Sequence, residues 1–119
     1  MYKTTVREIG DLVSAFAEEH LVILFGPEAT SELRAISVIH EAAERQESVL
    51  AIGRKISFGT QEYEIIEVGA TANKNFDELG HVSIYFGADS SELLPGAIIV
   101  SPQLFPAIEI GDTIKINES

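Results

Sequence analysis

The chain has 119 residues, which is enough for a single domain over residues 1–119 and too few for two. It contains no cysteine, which excludes disulfides and thiolate metal sites, and its formal net charge of −11 argues against nucleic-acid binding. The longest apolar run, Leu21–Phe25, is too short to span a bilayer, and residues 1–10 lack the apolar core of a signal peptide, so we expect a cytoplasmic protein.

Short apolar segments separated by turn residues recur along the chain, which is typical of a β-rich domain. The predicted strands, in chain order, are Tyr2–Ile9, Leu21–Phe25, Ala35–Ile39, Arg54–Phe58, Tyr63–Val68, His81–Phe86, Ala97–Val100 and Thr113–Asn117. Gly59 separates the fourth strand from the fifth, which predicts a hairpin. The sixth strand alternates strongly and predicts one buried face made of Val82, Ile84 and Phe86.

Helical signals are short and few. Asp11–Glu19 has the spacing of one or two amphipathic turns, and Thr30 or Ser31 could cap a short turn through Leu33. Residues 73–79 predict a helical turn that ends at Gly80, a favoured residue after a helix, whereas residues 41–48 are polar and predict a loop or a solvated helix. We therefore predict a mostly β fold, a small closed antiparallel β-barrel with one to three short helices, because closure removes exposed strand edges.

Three histidines are the natural candidates for chemistry, since only this side chain titrates near neutral pH without help. His20 lies between a predicted helix and a strand, where a surface or boundary position is the preferred interpretation. His40 ends a predicted strand, and His81 opens one directly after Gly80. For both, a histidine bonded to the backbone and a functional histidine remain open from the residues alone.

Other chemistries have little support. His40, Glu41 and Glu44 resemble part of a helical metal cluster, but the second histidine of a metalloprotease motif is missing. The sequence also lacks a glycine-rich loop that ends in Lys-Ser or Lys-Thr, so direct use of a nucleotide is not expected. We expect neither a metal nor another cofactor.

The stretch Tyr63–Phe86, which reads YEIIEVGATANKNFDELGHVSIYF, resembles the glucitol/sorbitol-specific enzyme IIA family of the bacterial phosphoenolpyruvate-dependent sugar phosphotransferase system. Its Val68-Gly69, the asparagine-bearing segment that follows, and the block 78–82 stand where that family's pattern has them. Further matches are Thr4-Thr5, Ile9-Gly10, Ile39-His40, Leu94-Pro95-Gly96 and Ile110-Gly111-Asp112. The resemblance covers nearly the whole chain, and its most specific part is the block 78–82 within the ordered series.

This resemblance implies a cytoplasmic phosphocarrier with a closed β-barrel fold of its own type. It implies that His40 accepts a phosphoryl group from the phosphohistidine carrier protein and passes it to the IIB component, which phosphorylates a sugar alcohol during uptake through the IIC component. Contact with the membrane would then be peripheral, through the transporter. Some family members have a second histidine two residues after the acceptor, where this chain has Ala42.

The implied chemistry assigns different tasks to the two nitrogens of a neutral His40. One attacks the phosphorus in line, and the other donates a hydrogen bond that fixes the tautomer. His81 is the predicted supporting residue, because Gly80 would leave backbone N–H groups free for phosphate oxygens beside it. A cation would serve the same purpose, yet the sequence shows no lysine or arginine obviously placed for it. Glu41 is interpreted as a solvated carboxylate.

Three alternatives stay open at this point, and one of them, an unrelated carrier of a small ligand, has only the apolar interior in its support. The chain could be a non-catalytic β-barrel that serves as a binding or regulatory module of the same family. It could also run the same chemistry for a different sugar, since sugar specificity lies mainly in the membrane component.

Overall fold

Eight strands and three short helices make up the part of the chain that the computed structural model describes, residues 1–87 and 93–117. The strands are β1 (Tyr2–Ile9), β2 (Leu21–Phe25), β3 (Val38–Glu41), β4 (Lys55–Phe58), β5 (Gln61–Val68), β6 (Val82–Phe86), β7 (Ala97–Ser101) and β8 (Thr113–Asn117). The helices are a 3-10 helix (Val13–Glu19), α1 (Ser31–Ile36) and α2 (Ala72–Leu79).

The strands form a closed barrel in the order β1-β3-β2-β6-β7-β5-β4-β8, and β8 pairs with β1 to complete the ring. The predicted mostly β, closed barrel with short helices is therefore confirmed. One detail differs, because β2 pairs with β3 and β6 pairs with β7 in parallel, while the remaining neighbours are antiparallel. Parallel neighbours need a crossover connection, and α1 lies within the crossover from β2 to β3.

Side-chain alternation builds the interior of the barrel. Val82, Ile84 and Phe86 are fully buried, which confirms the inward face predicted for β6. In β1 the buried row is Tyr2, Thr4 and Val6, so a hydroxyl stands among otherwise apolar core neighbours. A buried polar side chain needs a hydrogen-bond partner, and the partner of Thr4 is described with the site below.

The segment between β2 and β3 differs from the predicted Ala35–Ile39 strand. Thr30 caps α1, since its hydroxyl accepts a hydrogen bond from the Leu33 N–H at 3.4 Å. Capping carries the helix through Ile36, and β3 begins only at Val38. His40 consequently lies within β3, one residue before its end, and its side chain is buried.

Within residues 1–87 and 93–117, no helix is long and apolar enough to cross a membrane.

Candidate active site

A cleft of about 390 Å³ opens beside the end of β3. Its walls come from β3 and the loop after it, from the C-terminal part of α2, from the turn that follows β2, and from Tyr2 at the start of β1. The lining residues are Tyr2, Gly26, Pro27, Glu28, His40, Glu41, Ala42, Arg45, Gln46, Phe76, Asp77, Glu78, Leu79 and Gly80.

His40 is held in this wall by hydrogen bonds at both ring nitrogens. Its Nδ1 lies 2.7 Å from the hydroxyl oxygen of Thr4, and its Nε2 lies 2.7 Å from the carbonyl oxygen of Gly80. The ring also stacks on Phe76, with ring centroids 5.5 Å apart and ring planes inclined by 14°. Only 2% of the His40 surface is exposed, so the ring has one well-defined direction.

Strand register brings Thr4 to His40. In the antiparallel pair of β1 and β3, Val6 stands opposite His40, and Thr4 is the next inward-facing residue along β1. Diagonal neighbours on one face of a sheet are within reach of a long or aromatic side chain. Thr4 is 2% exposed, so this hydrogen bond lies inside the barrel wall.

A helix end brings Gly80 to the other nitrogen. Gly80 terminates α2 with a φ of 65°, the left-handed conformation that glycine adopts without strain, as the sequence predicted. A Cβ atom at this position would lie 3.1 Å from the His40 Nε2 and 3.0 Å from the Gly26 nitrogen. Because Gly80 has no side chain, the end of α2, the backbone at Gly26 and the His40 ring can lie this close together.

The two hydrogen bonds fix the tautomer of His40. A carbonyl oxygen can only accept, so Nε2 carries the proton and donates it to Gly80. The lone pair is then on Nδ1, which accepts a hydrogen bond from the Thr4 hydroxyl. Burial lowers the pKa of His40 below its ordinary value of 6.5, and the bond to Gly80 offsets part of this shift. The imidazole is consequently neutral at pH 7, as a nucleophile must be.

Charged groups surround the cleft. Four carboxylates line it, and they belong to Glu28, Glu41, Asp77 and Glu78. Arg45 lines it too, and its guanidinium donates a hydrogen bond of 2.7 Å to the main-chain carbonyl of Asp77. Glu41 is exposed and lies 3.5 Å from Arg7, in agreement with a solvated carboxylate.

Sequence reasoning missed Thr4 and Arg45. Thr4 carried a usable signal, because it is a hydroxyl in the inward row of an otherwise apolar alternation. Arg45 carried none, since it lies in the polar loop that follows β3, and this loop meets α2 only in the folded chain. The folded chain thus places beside His40 a cation that was not obvious in the sequence.

The other two histidines lie apart from this cleft. The half-buried His81 donates from Nδ1 to the Leu24 carbonyl at 3.2 Å, and its ring centroid is 4.6 Å from that of Phe25. The N–H groups of Gly80 and His81 bond back to carbonyls of α2, so they are not free for phosphate as the sequence suggested. The supporting role of His81 stays a prediction. His20 ends the 3-10 helix at the boundary with β2.

Among residues 1–87 and 93–117, no cluster of three or more His, Asp or Glu side chains could hold a metal ion.

Comparison with known proteins gives concordant results over nearly the whole chain. The family model described as "PTS system glucitol/sorbitol-specific IIA component" matches residues 1–115. Proteins named "PTS system glucitol/sorbitol-specific EIIA component" from Shigella flexneri and from Escherichia coli strain K12 are each 29% identical over 117 residues, which is 98% of this chain and 94% of theirs. The crystal structure of a PTS system IIA component from Enterococcus faecalis V583 superposes with a TM-score of 0.85 at 31% identity, covering 95% of this chain and 97% of that one.

Proposed function

This chain belongs to the glucitol/sorbitol-specific IIA component family of the sugar phosphotransferase system, and on that premise we propose that His40 carries the transferred phosphoryl group. Members of this family are phosphotransferase components of sugar uptake and work with other proteins of the system, such as IIB and IIC. In the proposed sequence, His40 accepts the group from the phosphohistidine carrier protein. It then passes the group to the IIB component for uptake of a sugar alcohol.

The observation that supports this proposal is the position of His40 in the cleft. All three histidines lie in the described part of the chain, and of these His40 alone lines the cleft. Its ring is neutral and held in one orientation by Thr4, Gly80 and Phe76. Phosphoryl transfer requires mainly positioning and charge stabilisation, so a fixed neutral imidazole beside an open cleft suits the task.

The charged residues of the cleft have two proposed roles, one towards the phosphoryl group and one towards the partner proteins. Arg45 would supply the cation that the phosphoryl oxygens need, because it lines the same cleft as His40. The carboxylates of Glu28, Glu41 and Glu78, together with the net charge of −11, would steer a basic partner surface towards His40.

His81 is proposed to act indirectly. Its ring bonds to the Leu24 carbonyl and packs on Phe25, which precedes the cleft residue Gly26. Its main chain follows Gly80, whose carbonyl contacts His40. Loss of the ring should therefore loosen the cleft wall without removing the nucleophile. We further propose that residues 1–119 form one domain that works in the cytoplasm and meets the membrane only through the transporter.

The test is phosphorylation with phosphoenolpyruvate, enzyme I and the phosphohistidine carrier protein. The purified chain should acquire an acid-labile, base-stable label, as expected for phosphohistidine, and the label should be absent from His40→Ala. His20→Ala is the matched control and should be labelled like the wild type, whereas His81→Ala should be labelled more slowly. Label that persists in His40→Ala would move the acceptor to another residue. If the wild type takes no label, the non-catalytic alternative is favoured.

A further inference from the structure

Neither nitrogen of His40 is free to attack in the structure as it stands. Nε2 donates its proton to the Gly80 carbonyl, and the lone pair of Nδ1 accepts from the Thr4 hydroxyl. An incoming phosphorus atom needs an exposed lone pair, so one of these two hydrogen bonds has to break before reaction. Which one breaks decides which nitrogen becomes phosphorylated.

The two hydrogen bonds lie in different surroundings. Thr4 is buried inside the barrel wall, where β1 is paired on one side with β3 and on the other with β8, and Thr4 does not line the cleft. Gly80 lines the cleft, and its bond to Nε2 is only partly buried. A donor that enters the cleft can therefore reach Nε2 once the Gly80 carbonyl has turned away, whereas Nδ1 faces the packed interior.

The Thr4 hydroxyl can form a hydrogen bond with either tautomer of the His40 ring. In the structure it donates to the bare Nδ1, but a hydroxyl can equally accept from a protonated Nδ1 by rotation of its hydrogen. If the ring proton moves from Nε2 to Nδ1, Thr4 keeps its hydrogen bond and Gly80 loses its donor. A bare Nε2 facing the Gly80 carbonyl at 2.7 Å would bring two acceptors together, which favours rotation of that carbonyl out of the way.

We propose that Thr4 is a positioning residue that holds the Nδ1–H tautomer of His40 during transfer, and that Nε2 receives the phosphoryl group after the Gly80 carbonyl has released it. This inference rests on the function proposed above. In the step itself, the lone pair of Nε2 forms the new N–P bond while the N–P bond of the donor phosphohistidine breaks. The proton on Nδ1 stays in place, bonded to Thr4, and the donor imidazole leaves as the neutral ring with its own N–H retained.

The first measurement needs no variant. Nitrogen-15 and phosphorus-31 NMR of the phosphorylated wild-type chain should show the phosphoryl group coupled to Nε2 and a protonated, hydrogen-bonded Nδ1. Phosphorylation at Nδ1 would overturn this inference while leaving the proposed function intact. A complete absence of phosphohistidine would overturn both.

The second measurement concerns Thr4. In Thr4→Val the Nδ1–H has no partner in the barrel wall, so the single-turnover rate of transfer should fall roughly ten- to a hundredfold. The concentration of donor at half-maximal rate should stay unchanged, because Thr4 does not line the cleft. Thr4→Ser keeps the hydroxyl and should restore the rate to within a few-fold of the wild type, which a loss of packing alone would not explain. Wild-type transfer by a folded Thr4→Val would overturn the role of Thr4.

Discussion

The two sides of His40 are constructed in contrasting ways. On one side, β1 is locked between β3 and β8, and the contact to the ring is a buried hydroxyl. On the other side, the contact is the main-chain carbonyl of a glycine at a helix end, in the wall of an open cleft. The barrel side can fix the direction of the ring, while the hydrogen bond on the cleft side is only partly buried and can be reached from the cleft. This arrangement suits a nucleophile such as His40, which must be held in one orientation and still be reached by a partner.

The largest expected effect is a loss of stability, caused by a core substitution in the barrel wall next to Thr4. Ile114 on β8 is fully buried and stands opposite Thr4 in the β1–β8 pair. Ile114→Ala should lower the free energy of unfolding by about 2–5 kcal/mol, because it removes buried methyl groups and leaves a cavity. Urea unfolding measures this change. Ile110→Ala is the matched control, since Ile110 is 68% exposed, and it should leave stability almost unchanged. Equal losses in both variants would contradict the assignment of the core.

A methyl group on the cleft side should act on both stability and transfer. Gly80→Ala places an alanine in the left-handed region, which costs about 1–2 kcal/mol. It also crowds the Nε2 atom of His40, so phosphorylation should slow. Gly59→Ala is the matched control, because Gly59 has a similar φ of 62° but its Cβ would meet its nearest neighbour only at 3.8 Å. Both variants should lose stability in a thermal melt, and only Gly80→Ala should lose labelling rate. The comparison between the two sides fails if Gly59→Ala slows labelling as much.

Removal of the cleft cation should give a smaller effect, confined to transfer. Arg45→Gln should slow phosphorylation roughly tenfold, as one charge-assisted hydrogen bond to the phosphoryl group is weakened. Its stability should hardly change, since the side chain is exposed. Arg7→Gln removes another exposed arginine that does not line the cleft, and it should transfer at the wild-type rate. A single-turnover assay distinguishes the two variants, and identical rates would argue against a role for Arg45.

The smallest effect is the pH dependence of stability. Burial lowers the pKa of folded His40 below 6.5, so between pH 6.5 and that lowered value the unfolded chain binds a proton that the folded chain does not. The lowered pKa of His40 therefore contributes to the free energy of unfolding above pH 6.5. This contribution is lost as the pH falls from 6.5 through the pKa of the folded state, by at most about 1.4 kcal/mol per pH unit. The difference in unfolding free energy between the wild type and His40→Gln should show this trend. A difference that grows as the pH rises above 7 would contradict it.

Local patterns predicted much of the barrel. The bounds of β1 follow from its alternation and from Gly10, and those of β2 from a continuous apolar run that Gly26-Pro27 ends. Gly111-Asp112 marks the start of β8. The parallel pairs β2–β3 and β6–β7 could not be predicted in the same way, because strand direction depends on crossovers and on closure of the whole ring.

The site was predictable only in part. The resemblance to a family drew attention to His40, but its hydrogen bonds depend on contacts across 36 residues to Thr4 and 40 residues to Gly80. The β3 boundary was misplaced, because capping of α1 by Thr30 and the helix propensity of Ala35 outweighed the strand propensity of Ile36. The contacts of His40 with Thr4 and Gly80, by contrast, join residues far apart in the chain and leave no periodic signal in the sequence.

Closure of the barrel also links the site to the order in which the chain is made. Tyr2 pairs with Ile116, so β1 cannot acquire its second neighbour before β8 exists. Until then β1 and β4 each have an open edge, which is a template for association with other chains. Thr4 lies in that last-completed seam, opposite Ile114. An incompletely synthesised or truncated chain would thus contain His40 and yet lack the fixed β1 wall that orients it.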